Sequence, residues 1–272
     1  MEFRTILVNL DVDYYSPNIL KVAVDLAQRF GARLSAVAAA SPPASFLSAE
    51  SAAITLDLYE AERTQLADRL RRLEAAFIEA VPTTLRGDCL TALETPNAVL
   101  SRLARHADLL LLRSHLGGEE VYSRNVDVGG LLLAAGRPVL LIQPDGYEVK
   151  ADRIVVGWKD SREARRAVSD ALPLLKRAKQ VVVAEVEGGG PSTRAGVDDV
   201  VSWLLLHDVE AHGQVYPATG SHCAALQEIA SENGADLIVA GAFGQSRLRE
   251  WIFGGVTRDL LASPAINRFM SN

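Results

Sequence analysis

Short apolar runs alternate with helical stretches along the whole chain. Thr5-Ile6-Leu7-Val8-Asn9-Leu10 opens the first half and Arg153-Ile154-Val155-Val156-Gly157-Trp158 the second, both with strand chemistry. A helical pattern follows each run. Ile19, Leu20, Val22, Ala23 and Leu26 recur at three- and four-residue spacing behind Pro17, a residue suited to a first helical turn. In the second half Ser161 is placed to cap a helix carrying Ala164, Ala167, Val168, Leu172 and Leu175, with Glu163 near its positive end. Residues 49–80 predict a long amphipathic helix with Leu56, Tyr59, Leu66, Leu70, Leu73 and Phe77 along one side, interrupted by Arg63 and laid on its own sheet. Residues 192–207 predict a short one. Further strands are expected at 33–39, 84–92, 138–142, 180–186 and 209–216. A weaker strand is expected at 265–270, where Pro264 and Asn267 suggest a short edge strand exposed for pairing.

Two further segments match. Ala107-Asp108-Leu109-Leu110-Leu111-Leu112 and Ala235-Asp236-Leu237-Ile238-Val239-Ala240 both read as buried parallel strands behind a short helix. Ile6 and Ile154 lie 148 residues apart, and Asp108 and Asp236 lie 128 apart, so the second copy is shorter, most naturally in its second helix. The chain is a divergent tandem repeat. Alternating strands and helices favour right-handed crossovers. The expected fold class is α/β: two tandem doubly wound domains, each a roughly five-stranded, mostly parallel sheet with helices on both faces. Pro144-Asp145-Gly146-Tyr147 punctuates the chain, which places the domains at 1–147 and 148–272.

Composition narrows the function classes. The 28 Lys and Arg against 34 Asp and Glu leave a net charge of -6, which gives no broad attraction to nucleic acid. No apolar run approaches the roughly 20 residues needed to span a bilayer, and the N-terminus has no basic region leading into a long apolar stretch. A cytoplasmic protein without a membrane partner is expected. Cys89 and Cys223 belong to no metal or disulfide cluster and read as reduced thiols. His106, His207, His212 and His222 show no ligand spacing, so no metal site is expected. Ser114-His115 follows the first half's fourth strand, where an open-sheet pocket would lie. No acid and nucleophile can be matched to that histidine, which reads as solvated or locally bonded.

The chemistry concentrates in Gly241-Ala242-Phe243-Gly244-Gln245-Ser246-Arg247-Leu248-Arg249-Glu250-Trp251-Ile252-Phe253-Gly254-Gly255-Val256-Thr257-Arg258, directly behind a buried strand. Gly241 and Gly244 let backbone pass close to a bound group, and Gly254-Gly255-Val256-Thr257 exposes amides at a helix start, an anion cradle. The same glycines also serve turns and packing, and local composition leaves both readings open. Gly241, Gly244, Gly254 and Gly255 stand at the spacing Gly, two residues, Gly, nine residues, Gly, small residue. In this the sequence resembles the universal stress protein family, and the resemblance extends over nearly the whole chain as two such domains in tandem. Val156-Gly157-Trp158-Lys159-Asp160-Ser161-Arg162-Glu163-Ala164 is similar to the family's first strand-to-helix turn.

The resemblance implies an adenine nucleotide, ATP first with Mg accompanying it. It assigns the phosphates and ribose to Gly241, Gly244, Gly254, Gly255, Val256 and Thr257, and the base side to the turn of Gly157, Lys159 and Ser161 and to Val186 after the second strand. Lys159 stands where the family places Asp, with Asp160 displaced by one residue. Gly255 stands where a hydroxyl residue is expected. The first copy departs further: it keeps Asp11, itself an ordinary turn former, but has Arg113 opposite Gly241 and Leu116 opposite Gly244. Gly129-Gly130 replaces the later pair only with a one-residue shift. That copy reads mainly as scaffold or interaction surface. Lys159, Arg247 and Arg258 are either phosphate partners or solvated cations. Trp158 either caps an apolar pocket or fills the core, and Trp251 belongs with the core side chains Leu248, Ile252 and Phe253.

Three readings follow. The leading one is a nonenzymatic stress-response protein, with at most weak ATPase activity, that senses or carries a nucleotide and interacts with a protein partner. The second is a nucleotide-free interaction module. The third is an adenylating or ATP-pyrophosphate-cleaving enzyme, opposed by Val156 and Trp158 where its loop would need Ser and Gly. Two such domains are expected to pack as an intramolecular pseudo-dimer or to pair between chains.

Overall fold

The computed structural model describes residues 2–42, 52–114, 124–187, 194–217, 221–243, 260–261 and 265–272. Packing separates the chain into residues 3–135 and residues 136–272, the latter joined by the first two residues. In the first unit β1 (Thr5–Asn9), α1 (Pro17–Phe30), β2 (Arg33–Ala39), α2 (Ala52–Ala80), β3 (Arg86–Ala92), α3 (Pro96–Leu103), β4 (Leu109–Arg113) and α4 (Val128–Ala135) follow in order. Its strands run β3-β2-β1-β4, all parallel. The second unit contains β5 (Val139–Ile142), β6 (Arg153–Trp158), α5 (Arg162–Leu175), β7 (Gln180–Val186), α6 (Arg194–Leu206), β8 (Ala211–Tyr216), α7 (His222–Glu232), β9 (Leu237–Gly241) and β10 (Asn267–Ser271). Its order is β5-β10-β9-β6-β7-β8, parallel except at β5. The α/β class with mostly parallel sheets is as the alternating pattern implies.

Local chemistry explains the elements. Ser16 and Ser161 hold extended backbone before α1 and α5 and accept from the amides of Asn18 (3.4 Å) and Ala164 (3.2 Å), with Pro17 in the first turn of α1. Gly31 ends α1 at φ 62, where its N–H and that of Ala32 satisfy the last carbonyls. The four leading residues of both β4 and β9 are buried, as their unbroken apolar runs require.

The aspartate heading each of these strands ties it to the start of its neighbour. Asp108 Oδ2 accepts from the amides of Arg4 (2.8 Å) and Thr5 (2.9 Å) and from the Thr5 hydroxyl (3.0 Å). Asp236 Oδ2 accepts from the amide of Asp152 at 3.0 Å. The repeat seen in the sequence is thus a repeated hydrogen-bonded clamp.

Three elements sit differently from their sequence reading. The strand at 139–142 precedes the expected boundary near 148, yet it pairs antiparallel with β10, from Val139↔Met270 to Leu141↔Arg268, and packs with residues 136–272. The repeat and the packed unit therefore divide the chain at different places. The expected exposed edge strand near 265–270 is a correction: β10 pairs with β5 on one side and β9 on the other, and all five of its residues are buried. Its polar side chains are paired internally. Asn267 Oδ1 accepts from the Gln143 amide (3.1 Å) and its Nδ2 donates to the Asp236 carbonyl (3.3 Å), while Ser271 donates to Asp170 (2.7 Å). Finally, α2 buries its stripe only from Leu66 to Phe77; Leu56 at its other end is 55% exposed.

Candidate functional site

Strand order reverses between β9 and β6: the chain steps from β6 to β7 on one side, while β9 lies on the other. In an open parallel sheet the strand ends splay there and leave a crevice outside their carboxyl ends. Gly157 pairs with Ala184 of β7 and Ala240 of β9, so Gly157, Val186 and Gly241 reach the same carboxyl edge on three adjacent strands. Lys159 and Ser161 lie in the turn between β6 and α5. Of the sequence-derived candidates, these five are brought together. Gly244, Gly254, Gly255, Val256 and Thr257 lie outside the described residues, as do Arg247, Trp251 and Arg258.

Three of the five, Gly241, Gly157 and Ser161, have a definite local role. A β-carbon on Gly241 would lie 2.6 Å from both the Ala164 nitrogen and the Glu163 carbonyl carbon, so only glycine lets the first turn of α5 rest on the end of β9. Gly157 is needed less strictly, since its β-carbon would meet Leu226 methyls of α7 at 3.0 and 3.2 Å. Ser161 caps α5 and keeps its hydroxyl proton for another acceptor. Lys159 is exposed and has neither a hydrogen bond nor an ion pair among the described residues. Val186 is half-buried at the end of β7.

The helix start and the strand end are both held in place. Glu163 is 2% exposed in the first turn of α5, where the helix dipole favours a carboxylate. One oxygen lies 3.3 Å from Arg162 Nε, and the other is buried without a hydrogen-bond partner. Behind Gly241, the Ala242 amide donates to the Ser271 carbonyl (2.8 Å) and Asn272 Nδ2 donates to the Ala242 carbonyl (2.7 Å). Phe243 then takes φ 57, a left-handed conformation unusual for a bulky residue, at the entry to the glycine segment. Arg268, 1% exposed in β10, donates to the carbonyls of Leu260 and Leu261 beyond that segment, and burial pushes its guanidinium down to about 10. Sequence reasoning placed Glu163 at the positive end of α5 but missed Arg268, Ser271 and Asn272 as supports. The last three act across the fold on residues distant in sequence or read as polar chain-end positions, and no local pattern marks them.

The corresponding place in the first unit, between β1 and β4, has different chemistry. Arg113, opposite Gly241 in the repeat, donates to the Tyr14 carbonyl at 2.9 Å. Arg69 pairs with Asp13 at 2.8 Å, and Arg124 pairs with Asp13 (3.5 Å) and with Glu62. Asp11 accepts from the amides of Asp13 (2.9 Å) and Tyr14 (2.8 Å), as a turn former does. Ser114 is buried, and His115 lies outside the described residues. Among the described residues no cluster of His, Cys, Asp and Glu is arranged to hold a metal, and no helix is long and apolar enough to cross a membrane.

Comparison with known proteins agrees with this fold. The whole chain is similar to the crystal structure of a universal stress protein from Archaeoglobus fulgidus DSM 4304, with 15% identity and a TM-score of 0.73 over 98% of this chain and 96% of that one. It is also similar to PA1789 from Pseudomonas aeruginosa PAO1, a protein of unknown function, with 14% identity and a TM-score of 0.59 over 99% of this chain and 92% of that one. At these identities the likeness is one of fold. No curated protein sequence matches the chain. Sequence itself speaks through the second half, where residues 150–266 match the model of the universal stress protein family. That match takes in the turn of Gly157, Lys159 and Ser161 and the strand ending in Gly241, so it is residues 150–266 that are similar in sequence to the universal stress protein family.

Proposed function

We propose that the second unit binds an adenine nucleotide, ATP with its Mg, at the carboxyl edge of β9, β6 and β7, and that its occupancy is what this stress-response protein communicates. The observation that carries the reading is the convergence of Gly157, Lys159, Val186 and Gly241 on three neighbouring strand ends at the topological switch point. Gly241 seats the first turn of α5 against that edge, which brings the positive end of a helix to it. Lys159, uncommitted among the described residues, supplies a cation for phosphate where the family pattern has an acid. Ser161 retains a hydroxyl proton to donate. Gly244, Gly254, Gly255, Val256 and Thr257 are proposed to wrap the phosphates with backbone amides. The free thiols of Cys89 and Cys223 suit a reducing, cytoplasmic setting.

A second reading concerns the first unit. Arg113 on the Tyr14 carbonyl and the Asp13, Glu62, Arg69 and Arg124 pairs occupy the place of a glycine cradle, which favours a scaffold or partner-binding role for that copy.

The deciding experiment starts from protein purified without added nucleotide. Denaturation and mass spectrometry of released small molecules would be followed by calorimetric titration of stripped protein with ATP and AMP. Near-stoichiometric nucleotide, or saturable binding that is lost in Gly244→Val, is the expected result. An empty protein with no titration, or unchanged affinity in that variant, overturns the proposal and leaves the interaction module.

A further inference from the structure

Two strands lie at an outer edge, β3 in the first unit and β8 in the second, and among the described residues each has a neighbouring strand on one side alone. Such an edge offers its outward N–H and C=O groups to another chain unless something blunts it. β3 is blunted. Its register slips from Leu34↔Arg86 to Ala36↔Cys89, so three steps along β3 match two along β2, a bulge that bends the strand. Arg86 and Asp88 add charge there, with the Asp88 side chain 97% exposed. β8 has none of this. Ala211-His212-Gly213-Gln214-Val215-Tyr216 pairs with β7 residue for residue, from Val181↔Ala211 to Val186↔Tyr216, and carries no bulge, no proline and no charged side chain.

One hydrogen bond fixes the backbone directions. The Tyr216 carbonyl accepts from the Glu187 amide at 2.8 Å, so Tyr216 faces β7. Alternation turns His212 and Gln214 the same way and leaves the N–H and C=O groups of Ala211, Gly213 and Val215 pointing off the edge. Side chains alternate as well. A β-carbon on Gly213 would lie 2.5 Å from Val197 and 3.2 Å from Val201, which puts Ala211, Gly213 and Val215 beneath α6. His212 and Gln214 are exposed on the other face, where the Tyr216 hydroxyl donates to Gln214 Oε1 at 3.0 Å. On α6, Asp199 and Trp203 turn toward Arg165 and Val168 of α5, with which they line a cavity, and Val197 and Val201 rest over Gly213. Helical spacing leaves Arg194, Asp198, Ser202 and Leu205 on the flank away from α5, above the free edge. All four are exposed, Leu205 by 65%.

We propose that this edge pairs antiparallel with the same edge of a second copy of the chain, about a twofold axis at Gly213. The outward residues are symmetric about that point. Gly213 meets Gly213 of the second copy and Ala211 meets Val215, and each pair exchanges two backbone hydrogen bonds. His212 falls opposite Gln214, whose amide N–H groups remain to donate to the imidazole because its oxygen already accepts from Tyr216. The two α6 flanks run antiparallel above the strands, Ser202 toward Asp198 and Leu205 toward the aliphatic stem of Arg194. No like charges oppose each other in this register, and this self-complementarity is what favours a second copy over an unrelated segment. The residues assigned to the nucleotide take no part, so the inference stands apart from that proposal.

Sedimentation velocity of the full chain, diluted from the millimolar to the micromolar range, should show a reversible monomer–dimer equilibrium. Residue-resolved amide hydrogen exchange supplies the signature: protection at Ala211, Gly213 and Val215 should rise with protein concentration, while His212 and Gln214, which face β7, should not change. Val215→Pro removes an outward donor without breaking the β7 ladder and should weaken dimerisation about tenfold or more. Leu205→Arg, at an exposed position, sets a cation toward Arg194 of the second copy and should weaken it several-fold; it decides the matter if circular dichroism shows that Val215→Pro unfolds. A chain that stays monomeric throughout, with unchanged exchange in β8, overturns the inference and leaves the edge to an extended segment of a different protein. A dimer that lacks the alternating protection, or that both variants leave intact, overturns it as well.

Discussion

Asp108 and Asp236 stand at equivalent places in the two copies, yet the second clamp lacks a donor that the first has. Thr5 offers Asp108 a hydroxyl as well as an amide, whereas Arg153 takes that position beside Asp236, one of whose oxygens is buried and unpartnered. Burial raises the Asp236 carboxyl above the ordinary Asp value, against the opposing pull of the Asp152 and Arg153 amides. The folded state therefore holds its proton to higher pH than the unfolded chain does. This lowers stability as pH rises from the ordinary Asp value through the raised one, and the loss is complete above it. Urea melts over a pH series should show wild type losing stability relative to Asp236→Asn across that window, with a constant difference beyond it. At Gly241, alanine would press a β-carbon into the α5 backbone and should cost about 1–3 kcal/mol in the same melts. Gly157→Ala, whose tight contacts are with the Leu226 methyls, should cost less. Cys89 supplies a chemical test: burial, with help from Glu74, pushes its thiol up to about 12. Its reaction with a thiol reagent near neutral pH should be on the order of a thousandfold slower than that of a free cysteine.

Among the elements, helix ends carry the clearest consequences. Gly31, Gly234 and Asp208 all take positive φ after α1, α7 and α6. In each case the residue and its successor return their amides to the last turn, as Asp208 to Leu205 (3.1 Å) and Val209 to Leu204 (3.0 Å) show. Aspartate tolerates that conformation less well than glycine, and its 3.6 Å pair with Lys176 involves a side chain 92% exposed, which contributes little. Asp208→Gly should therefore raise stability by up to about 1 kcal/mol, read as a higher urea midpoint. Ser161→Ala removes the α5 cap and should lower it by about 1 kcal/mol. The strands at 33–39 and 180–186 and the caps at Ser161 and Pro17 were legible because each rests on a run of side chains or a single residue type. The standing of β10 was not legible, because Asn267, Arg268 and Ser271 look like surface residues until their partners at 143, 236, 260–261 and 170 are known.

For the molecule as a whole, β10 is a larger determinant than its length suggests, because it pairs with strands on both sides in the second unit. Removing residues 267–272 would leave β5 and β9 without a partner strand between them, and would strip Ala242 of the Ser271 and Asn272 hydrogen bonds. Such a truncation should abolish the near-ultraviolet circular dichroism of Trp158 and Trp203 and, with it, the nucleotide binding proposed for this unit. The amino-acid sequence alone determined the alternation of strands and helices, the two copies, and the glycine spacing that identified the second, since periodicity and residue type act within a few residues of one another. Only the tertiary structure decided that residues 139–142 pack with the second copy, that the polar final strand lies inside a sheet, that Gly241 exists for helix contact, and that the Trp158 indole N–H is buried without a partner. Those are consequences of which surfaces meet across long separations in the chain, and burial of a polar group becomes favourable or costly only once its neighbours are in place.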